Sequence, residues 1–568
     1  MDTCTALVPT ADGGWRRYRD PVRMLCARRP EEVVPCLAAV EAGAEAGLTA
    51  VGGVAYEAAP AFDAALATRP AQGPLALFGL FEGAEPGALP PAAAPAPVLA
   101  PELGRPAYLR ALARIHDHLA AGDSYQVNFT HPLRGSWDGD PEALFAALHG
   151  AQPSTRALYL RWGQLAVCSV SPERFFRLDG ETIEMEPMKG TRPRAADPQR
   201  DAALRGELLS SPKERAENLM IVDMVRSDLG RIAEAGSVTA EALFRIVAMP
   251  TVWQQVSTVR ARTGAGLVEL FRALFPCASV TGAPKRETMR IIERLEAGPR
   301  GFYTGALGVV GPGRRADFSV GIRTLLLDLG RKTACYGVGS GVVWDSEGAA
   351  EWRETLLKAR TLGEADPFAL LETMRWTPQA GIERRALHVE RLRTSAAHFD
   401  FPLDAGRLAR RLDEFSAEGP CRLRLLLHRD GRIELEPRAL LETPEPVRLR
   451  LASAPVDSRD PFLRHKTTAR QVYERARAGA GEADDVLLWN ERGELTETCI
   501  HNVFLEIDGE LLTPPTESGL LGGVFRRSLL DAGRARTRVL TRADLARASR
   551  LLVSNSVRGL REAVLLDP

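Results

Sequence analysis

The feature that limits this chain most is a break at TLGEADPF, Thr361 to Phe368. The helical text EWRETLLKARTLG ends there, the sequence restarts as ALLETMRW, and about 200 of the 568 residues remain. A chain this long exceeds what one hydrophobic core supports, and 200 residues suffice for a further complete domain. No internal repeat joins the two parts, so the text reads as two unrelated units, residues 1–362 and 366–568. Within the first, GALPPAAAPAPVLAPELGRP (Gly87 to Pro106) is too rich in proline for a helix or a central strand. It is expected as an exposed connection, 87–106, between a short module of about 1–86 and a catalytic core, 107–362.

Charge excludes some functions. Lys plus Arg and Asp plus Glu both number 73, a balance without the basic footprint of a nucleic-acid binder. The eight cysteines are scattered with no CxxC pair, which reads as reduced thiols of a cytoplasmic protein rather than a zinc site or disulfide framework. No segment has the 18 or so uncharged apolar residues of a membrane span, and the N-terminus lacks the order of a signal peptide. From residue 107 to 362, strand-like runs alternate with strongly helical ones, which argues for a large mixed α+β domain.

Two of those helices carry paired carboxylates. PKERAENLMIVDMVRSDLG places Glu214 and Glu217 three residues apart, and DSEGAAEWRETLLKA does the same with Glu351 and Glu354. Residues i and i+3 share a helix face, so each pair can turn two hard oxygen ligands toward one point, as Mg²⁺ requires. Alone, such a pair reads more readily as solvated glutamates balanced by Lys213, Arg215, Arg353 and Lys358. Gly339 and Gly341 in YGVGSGVVWDS and Arg323 in GIRT add bare backbone and a guanidinium fork suited to a carboxylate.

Together with GDSYQVNFT (122–130), SPERFF (171–176), PMKGT (187–191), FPCASVTGAPKRETMRII (275–292) and FYTGALG (302–308), these pieces resemble the chorismate-utilising enzymes. The resemblance implies an α+β sandwich that acts on chorismate with Mg²⁺. It makes Glu217 and Glu354 the expected metal ligands, with Glu214 and Glu351 beside them. It assigns the substrate carboxylates to Thr281, Tyr303, Arg323, Gly339, Gly341 and Lys358, and the role of general acid to Glu173. Anthranilate synthases of this family carry a small residue at the position of Lys189, whereas aminodeoxychorismate synthases carry lysine. The resemblance therefore implies a nucleophilic amine and a product aminated at ring carbon C4. Where relatives often have histidine, this chain has Gln254, a neutral contact. That leaves open a catalytically silent binding subunit. No feedback motif for tryptophan is evident. Nor is a Gly-x-Cys-x-Gly nucleophile elbow, so a separate glutaminase is the expected source of ammonia.

In the second unit, LLETMRW (370–376), LHVERLRTSAAHF (387–399), RHKTTARQVYERA around Lys466, GELTETCIHNVF, GLLGGVFRRSLL and LLVSNSVRG resemble the fold-type IV pyridoxal-phosphate enzymes, which include class IV aminotransferases and a lyase. The resemblance implies that Lys466 holds pyridoxal 5'-phosphate and that Glu497 faces its ring nitrogen. Arg391 with the backbone of Val524 and Phe525 takes the phosphate, and Asn555 and Ser556 lie close by. It also implies a homodimer. The expected function is bifunctional: chorismate and ammonia to 4-amino-4-deoxychorismate, then elimination to 4-aminobenzoate and pyruvate. The alternative is an anthranilate synthase-like half fused to a branched-chain or D-amino-acid aminotransferase-like half. Lys466 itself is expected at the opening of a helix.

Overall fold

Two ten-stranded sheets, every pairing of which is antiparallel, build the first half. Alternating side chains of the two sheets meet across a shared core, Ala6, Leu160 and Val167 from one and Val51, Leu77 and Leu307 from the other. Helices cover the outer faces, giving the expected α+β sandwich. The computed structural model describes residues 4–566 except 11, 93, 196, 249–251, 363–367, 442 and 444. The expected junction between the halves, 363–366, therefore falls outside the described residues.

The elements that matter for function are, in chain order, β1 (Ala100–Pro101), α1 (Arg105–Ala120), β2 (Gln126–Ser136), β3 (Met188–Pro193), α2 (Pro212–Gly230), β4 (Val252–Arg262), β5 (Thr333–Val342) and α3 (Gly348–Lys358). β2 and β5 pair over ten residues, from Val127 opposite Val342 to Ser136 opposite Thr333. β3 and β4 belong to the other sheet, with Thr191 opposite Gln254. In α1 the buried Tyr108, Leu112 and Ile115 follow helical spacing and pack near Trp352 of α3. In α2 the buried residues are Asn218, Ile221, Val222, Val225 and Leu229, and the half-buried Glu214 and Glu217, four residues before Asn218 and Ile221, continue that face at the start of the helix.

The expected N-terminal module is not a separate layer. Cys4–Pro9 pairs with Leu158–Trp162 in one sheet and Thr49–Val54 pairs with Ala306–Gly311 in the other. These strands would leave open ladders if they stood alone.

The second half contains β6 (Leu370–Thr377), α4 (Arg385–Phe399), β7 (Cys421–Leu427), β8 (Leu495–Thr498), α5 (Val524–Asp531) and β9 (Arg550–Asn555). β6 and β7 form the middle of a four-stranded antiparallel sheet, and β8 and β9 belong to a mixed eight-stranded one. Lys466 does not open a helix. It lies in an irregular stretch between Pro461–Arg464 and Gln471–Ala478, anchored where Leu371 N–H donates to its carbonyl at 2.9 Å.

The proline-rich connection also departs from expectation. The described residues of its first part are exposed or half-buried, but Pro97, Ala100, Pro101 and Gly104 are buried. β1 pairs with β2 of the first half, while Ala100 belongs to the core of the second half with Phe399, Phe401 and Phe462. The adjacent Pro101 carbonyl lies 2.9 Å from His398 Nε2 of α4. The short residues that rule out a helix thus form a wedge shared by both halves. Ala100, 1% exposed, leaves no room for a hydrated charge. Ala100→Asp is expected to lower the apparent melting temperature of the full chain by several degrees, measured by calorimetry, where Ala96→Asp does not.

Candidate active sites

Three glycines of β5, Gly337, Gly339 and Gly341, sit two apart and so share one face of the strand. At all three a side chain would be crowded, at Gly339 by the Phe129 carbonyl 2.6 Å from where a Cβ would stand. A Cβ on Gly337 would stand 2.2 Å from the Tyr303 ring, and one on Gly341 would stand 3.0 Å from Lys189 Nζ and 2.9 Å from Gln126 Nε2. The glycines leave space for Tyr303 at Gly337 and, four residues along the strand, for Lys189 and Gln126 at Gly341.

Lys189 rides on β3 with its amine turned inward. Burial pulls its pKa below the ordinary value and the nearby Lys358 charge adds to this, against the opposing pull of Glu217, Glu173 and Glu354. Glu173, 5% exposed, is pushed up to about 7 by burial, partly offset by a 2.6 Å hydrogen bond from Ser279 to its Oε1. Its loop is fastened from outside, since Arg156 donates to the Pro172 carbonyl at 3.0 Å and Ser154 to that of Ser171. A carboxyl half-protonated near neutrality beside a depressed amine is a pairing able to do acid and nucleophile chemistry.

The other expected residues divide. Lys358 Nζ donates to the Gly339 carbonyl and pairs with Glu354, both at 2.7 Å. Arg323, in the left-handed region at φ 50°, donates to the Lys358 carbonyl at the end of α3. Thr281 is fully buried and gives its hydroxyl proton to the carbonyls of Cys277 and Ala278 at 3.2 and 3.3 Å. It is not aimed as a donor toward a ligand. Gln254 bonds Thr191 at 3.0 Å on an exposed surface, away from this group.

The four metal-ligand glutamates do not form a ready cage. Among the described residues no three acidic, histidine or cysteine side chains are grouped closely enough to hold a metal. Glu214 is ion-paired with Arg192 at 2.7 Å and Glu354 with Lys358. Burial raises Glu217, with Glu214 and Glu351 adding to it and Lys189 opposing. For Glu354 burial also acts upward, but Lys358 wins and the carboxyl lies below its usual value. Mg²⁺ normally takes one or two carboxylates, waters and substrate oxygens. Glu217 and Glu354, which share the field of Lys189, fit that pattern.

The second site is a cavity of about 310 Å³ lined by Lys466, Arg391, Tyr473, Glu497, Asn502 and Ser556, among others. Burial, Arg391 and Arg470 bring Lys466 down to about 8. Glu497 is pushed up to about 7 by burial, although Tyr473 donates to it at 2.7 Å and Leu521 N–H at 3.2 Å. Arg391 grips Glu372 through two bonds of 2.8 and 2.6 Å. Glu372 is held down at about 2, because Arg391 and His388 outweigh burial. His388 reaches on to the Ser556 hydroxyl at 2.7 Å. Asn555 Oδ1 accepts from Val557 and Arg558 N–H and so braces its own turn. α5 begins at Val524 after Gly523, with the first backbone N–H groups facing the same cavity. A lysine of lowered pKa, an acid opposite it and a helix N-terminus beside an arginine suit pyridoxal phosphate.

Sequence reading missed Gln126, Ser279, Glu372, His388, Tyr473 and Asn502. All lie inside or beside fragments already singled out, but their roles depend on partners brought together by the fold, such as Glu173 for Ser279, Ser556 for His388 and Glu497 for Tyr473.

Both halves match known families. Residues 82–364 match the family described as chorismate binding enzyme, and 369–565 match amino-transferase class IV. The chain is 47% identical over 261 residues to an aminodeoxychorismate synthase of Streptomyces griseus, covering 45% of this chain and 36% of that protein. It is 42% identical over 262 residues to aminodeoxychorismate synthase component 1 of Klebsiella aerogenes, covering 46% and 58%. It thus spans only about a third to three fifths of these relatives. The solved anthranilate synthase component I of Streptococcus pneumoniae shares its fold at TM-score 0.55 and 22% identity, over 64% of this chain and 92% of that one. The chain therefore belongs to the chorismate binding enzymes over residues 82–364 and to the class IV amino-transferases over residues 369–565.

Proposed function

We propose that the chain makes 4-aminobenzoate in two steps, the first half aminating chorismate at C4 and the second eliminating pyruvate. The observation that carries this reading is the amine of Lys189 set beside Gly341 with Glu173 in its field. In the first step the neutral amine attacks C2, both ring double bonds shift, and the C4 hydroxyl leaves as water with a proton from Glu173. Ammonia then forms the new bond at C4, both double bonds shift back, and the C2–N bond to Lys189 breaks. Tyr303, Arg323 and Lys358 hold the substrate carboxylates, with Gln126 beside the amine. Mg²⁺ on Glu217 and Glu354, flanked by Glu214 and Glu351, would screen the carboxylate it shares with the substrate.

In the second half, pyridoxal phosphate supplies an electron sink when bound. Lys466 anchors the cofactor and then moves the proton at C4. Glu497, fixed by Tyr473, would hold the ring nitrogen's proton, and Arg391 with Val524 and Phe525 would hold the phosphate. Ser556 and Asn555 shape that wall. Loss of the enolpyruvyl oxygen makes the ring aromatic. Ammonia comes from a separate glutamine amidotransferase, and the second half pairs as a homodimer. All eight cysteines are free, which fits a cytoplasmic setting, and no helix among the described residues is long and apolar enough to cross a membrane.

Incubation of the protein with chorismate, ammonium, Mg²⁺ and pyridoxal phosphate should yield 4-aminobenzoate; 2-aminobenzoate or untouched chorismate would overturn the reading. A pH profile gives a finer check. Glu173 must carry its proton, so the first step should slow as pH rises through about 7. Ser279 holds that carboxyl down, so Ser279→Ala should shift the alkaline limb to higher pH and cost on the order of tenfold in kcat, and Ser279→Thr should restore both.

A further inference from the structure

Six cations and one carboxylate line the second cavity: Arg391, Arg422, Arg424, Lys466, Arg470 and Arg558 against Glu497. Four of the cations are accounted for. Arg391 grips Glu372, and Arg424 pairs with Glu436 at 3.2 Å. Arg470 donates to the Cys499 carbonyl and lies over the Tyr473 ring, and Lys466 is the anchoring lysine. Arg422 and Arg558 have no hydrogen-bonded acceptor for their guanidinium groups among the described residues, and Arg422 Nε is buried without one.

Their placement makes this costly. Arg422 stands on β7 directly between Arg375 of β6 and Arg438 of the next strand, a row of like charges across three strands. Arg375 and Arg438 each reach a glutamate, Glu383 and Glu436, but Arg422 turns its charge to the cavity. Arg558 comes from the opposite wall, on the turn after β9 that Asn555 braces, and feels the charges of Arg561 and Arg422. Two facing forks without an anion, in a partly dry cavity, form a subsite for a carboxylate.

We propose that Arg422 and Arg558 bind the ring carboxylate of the second-step substrate, a cyclic amino acid whose carboxylate lies para to its amine. This rests on the lyase reading of the second half. In an ordinary α-amino acid the carboxylate sits on the carbon that bears the amine, next to Lys466. In the ring substrate the two groups lie at opposite ends, and a carboxylate subsite on walls away from the lysine selects the latter. The cofactor phosphate has its own partners in Arg391 and the start of α5, so the pair is not needed for it.

The test is calorimetric binding of 4-aminobenzoate and of aniline to the full-length, pyridoxal phosphate-loaded protein, with cofactor affinity titrated in parallel by absorbance. Arg422→Gln and Arg558→Gln are each expected to weaken 4-aminobenzoate about tenfold or more. Aniline and cofactor binding should stay within about twofold. Arg558→Lys, which keeps a charge but not the fork, should fall between. Unchanged 4-aminobenzoate binding overturns the proposal, as does a loss of cofactor affinity in its place, which would give the pair to the phosphate. If wild type binds no 4-aminobenzoate and forms none from chorismate and ammonium, the lyase reading falls as well.

Discussion

Lys466→Ala is expected to stop 4-aminobenzoate formation while leaving chorismate consumption intact. On the proposed reading the side chain has two duties, anchoring the cofactor and moving the C4 proton, and no neighbour would replace it. Arg391 and Arg470 are arginines that stay charged, and Glu497 is occupied by Tyr473 and Leu521. The loss should reach on the order of 10³-fold or more. Because the proposed amination residues all belong to the first half, the aminated ring intermediate should accumulate at close to the wild-type rate of chorismate loss. Chromatography of the reaction mixture reads both. Parallel loss of chorismate consumption would show that the halves depend on each other chemically.

Lys189→Ala should do the reverse and abolish the first step. Burial has moved its amine toward the neutral, nucleophilic form, and Glu173 is held near 7 by the same dry surroundings. Removing the amine should cost on the order of 10³-fold in the rate of chorismate loss, about 4 kcal/mol of barrier. Any residual amination should appear at C2, the carbon the lysine no longer covers. The second half should still process aminodeoxychorismate supplied from outside at the wild-type rate. Wild-type activity in Lys189→Ala would reduce the lysine to a charge partner of Glu217. Lys189→Arg, which keeps that charge but cannot attack, should fail like alanine.

The reagents were legible in the sequence, but their settings were not. Lys189, Glu173, Tyr303, Lys466, Glu497 and Arg391 stand in fragments whose residue types announce chemistry; Lys189 lies in the field of Glu173, and Lys466, Glu497 and Arg391 line one cavity. Helix α1 follows from apolar spacing, since local periodicity is enough to define its buried stripe of Tyr108, Leu112 and Ile115. The N-terminal strands read as a module because their sheet partners lie more than 100 residues away. The wedge around Ala100 read as exposed because proline and alanine report what backbone is possible, not what covers it. Thr281 was expected to face the substrate, yet its hydroxyl closes its own turn. Helical spacing pairs Glu214 with Glu217 but could not foresee that Arg192 holds one and Lys189 acts on the other.

The central claim is that nitrogen enters at C4 under the control of Lys189. Its most direct test is to feed chorismate and ¹⁵N-ammonium to Lys466→Ala, which keeps the first site and halts the second, and to locate the label on the accumulated ring by NMR. The account predicts nitrogen on C4, para to the ring carboxylate, with the enolpyruvyl group still attached. Label on C2, ortho to the carboxylate, would contradict it.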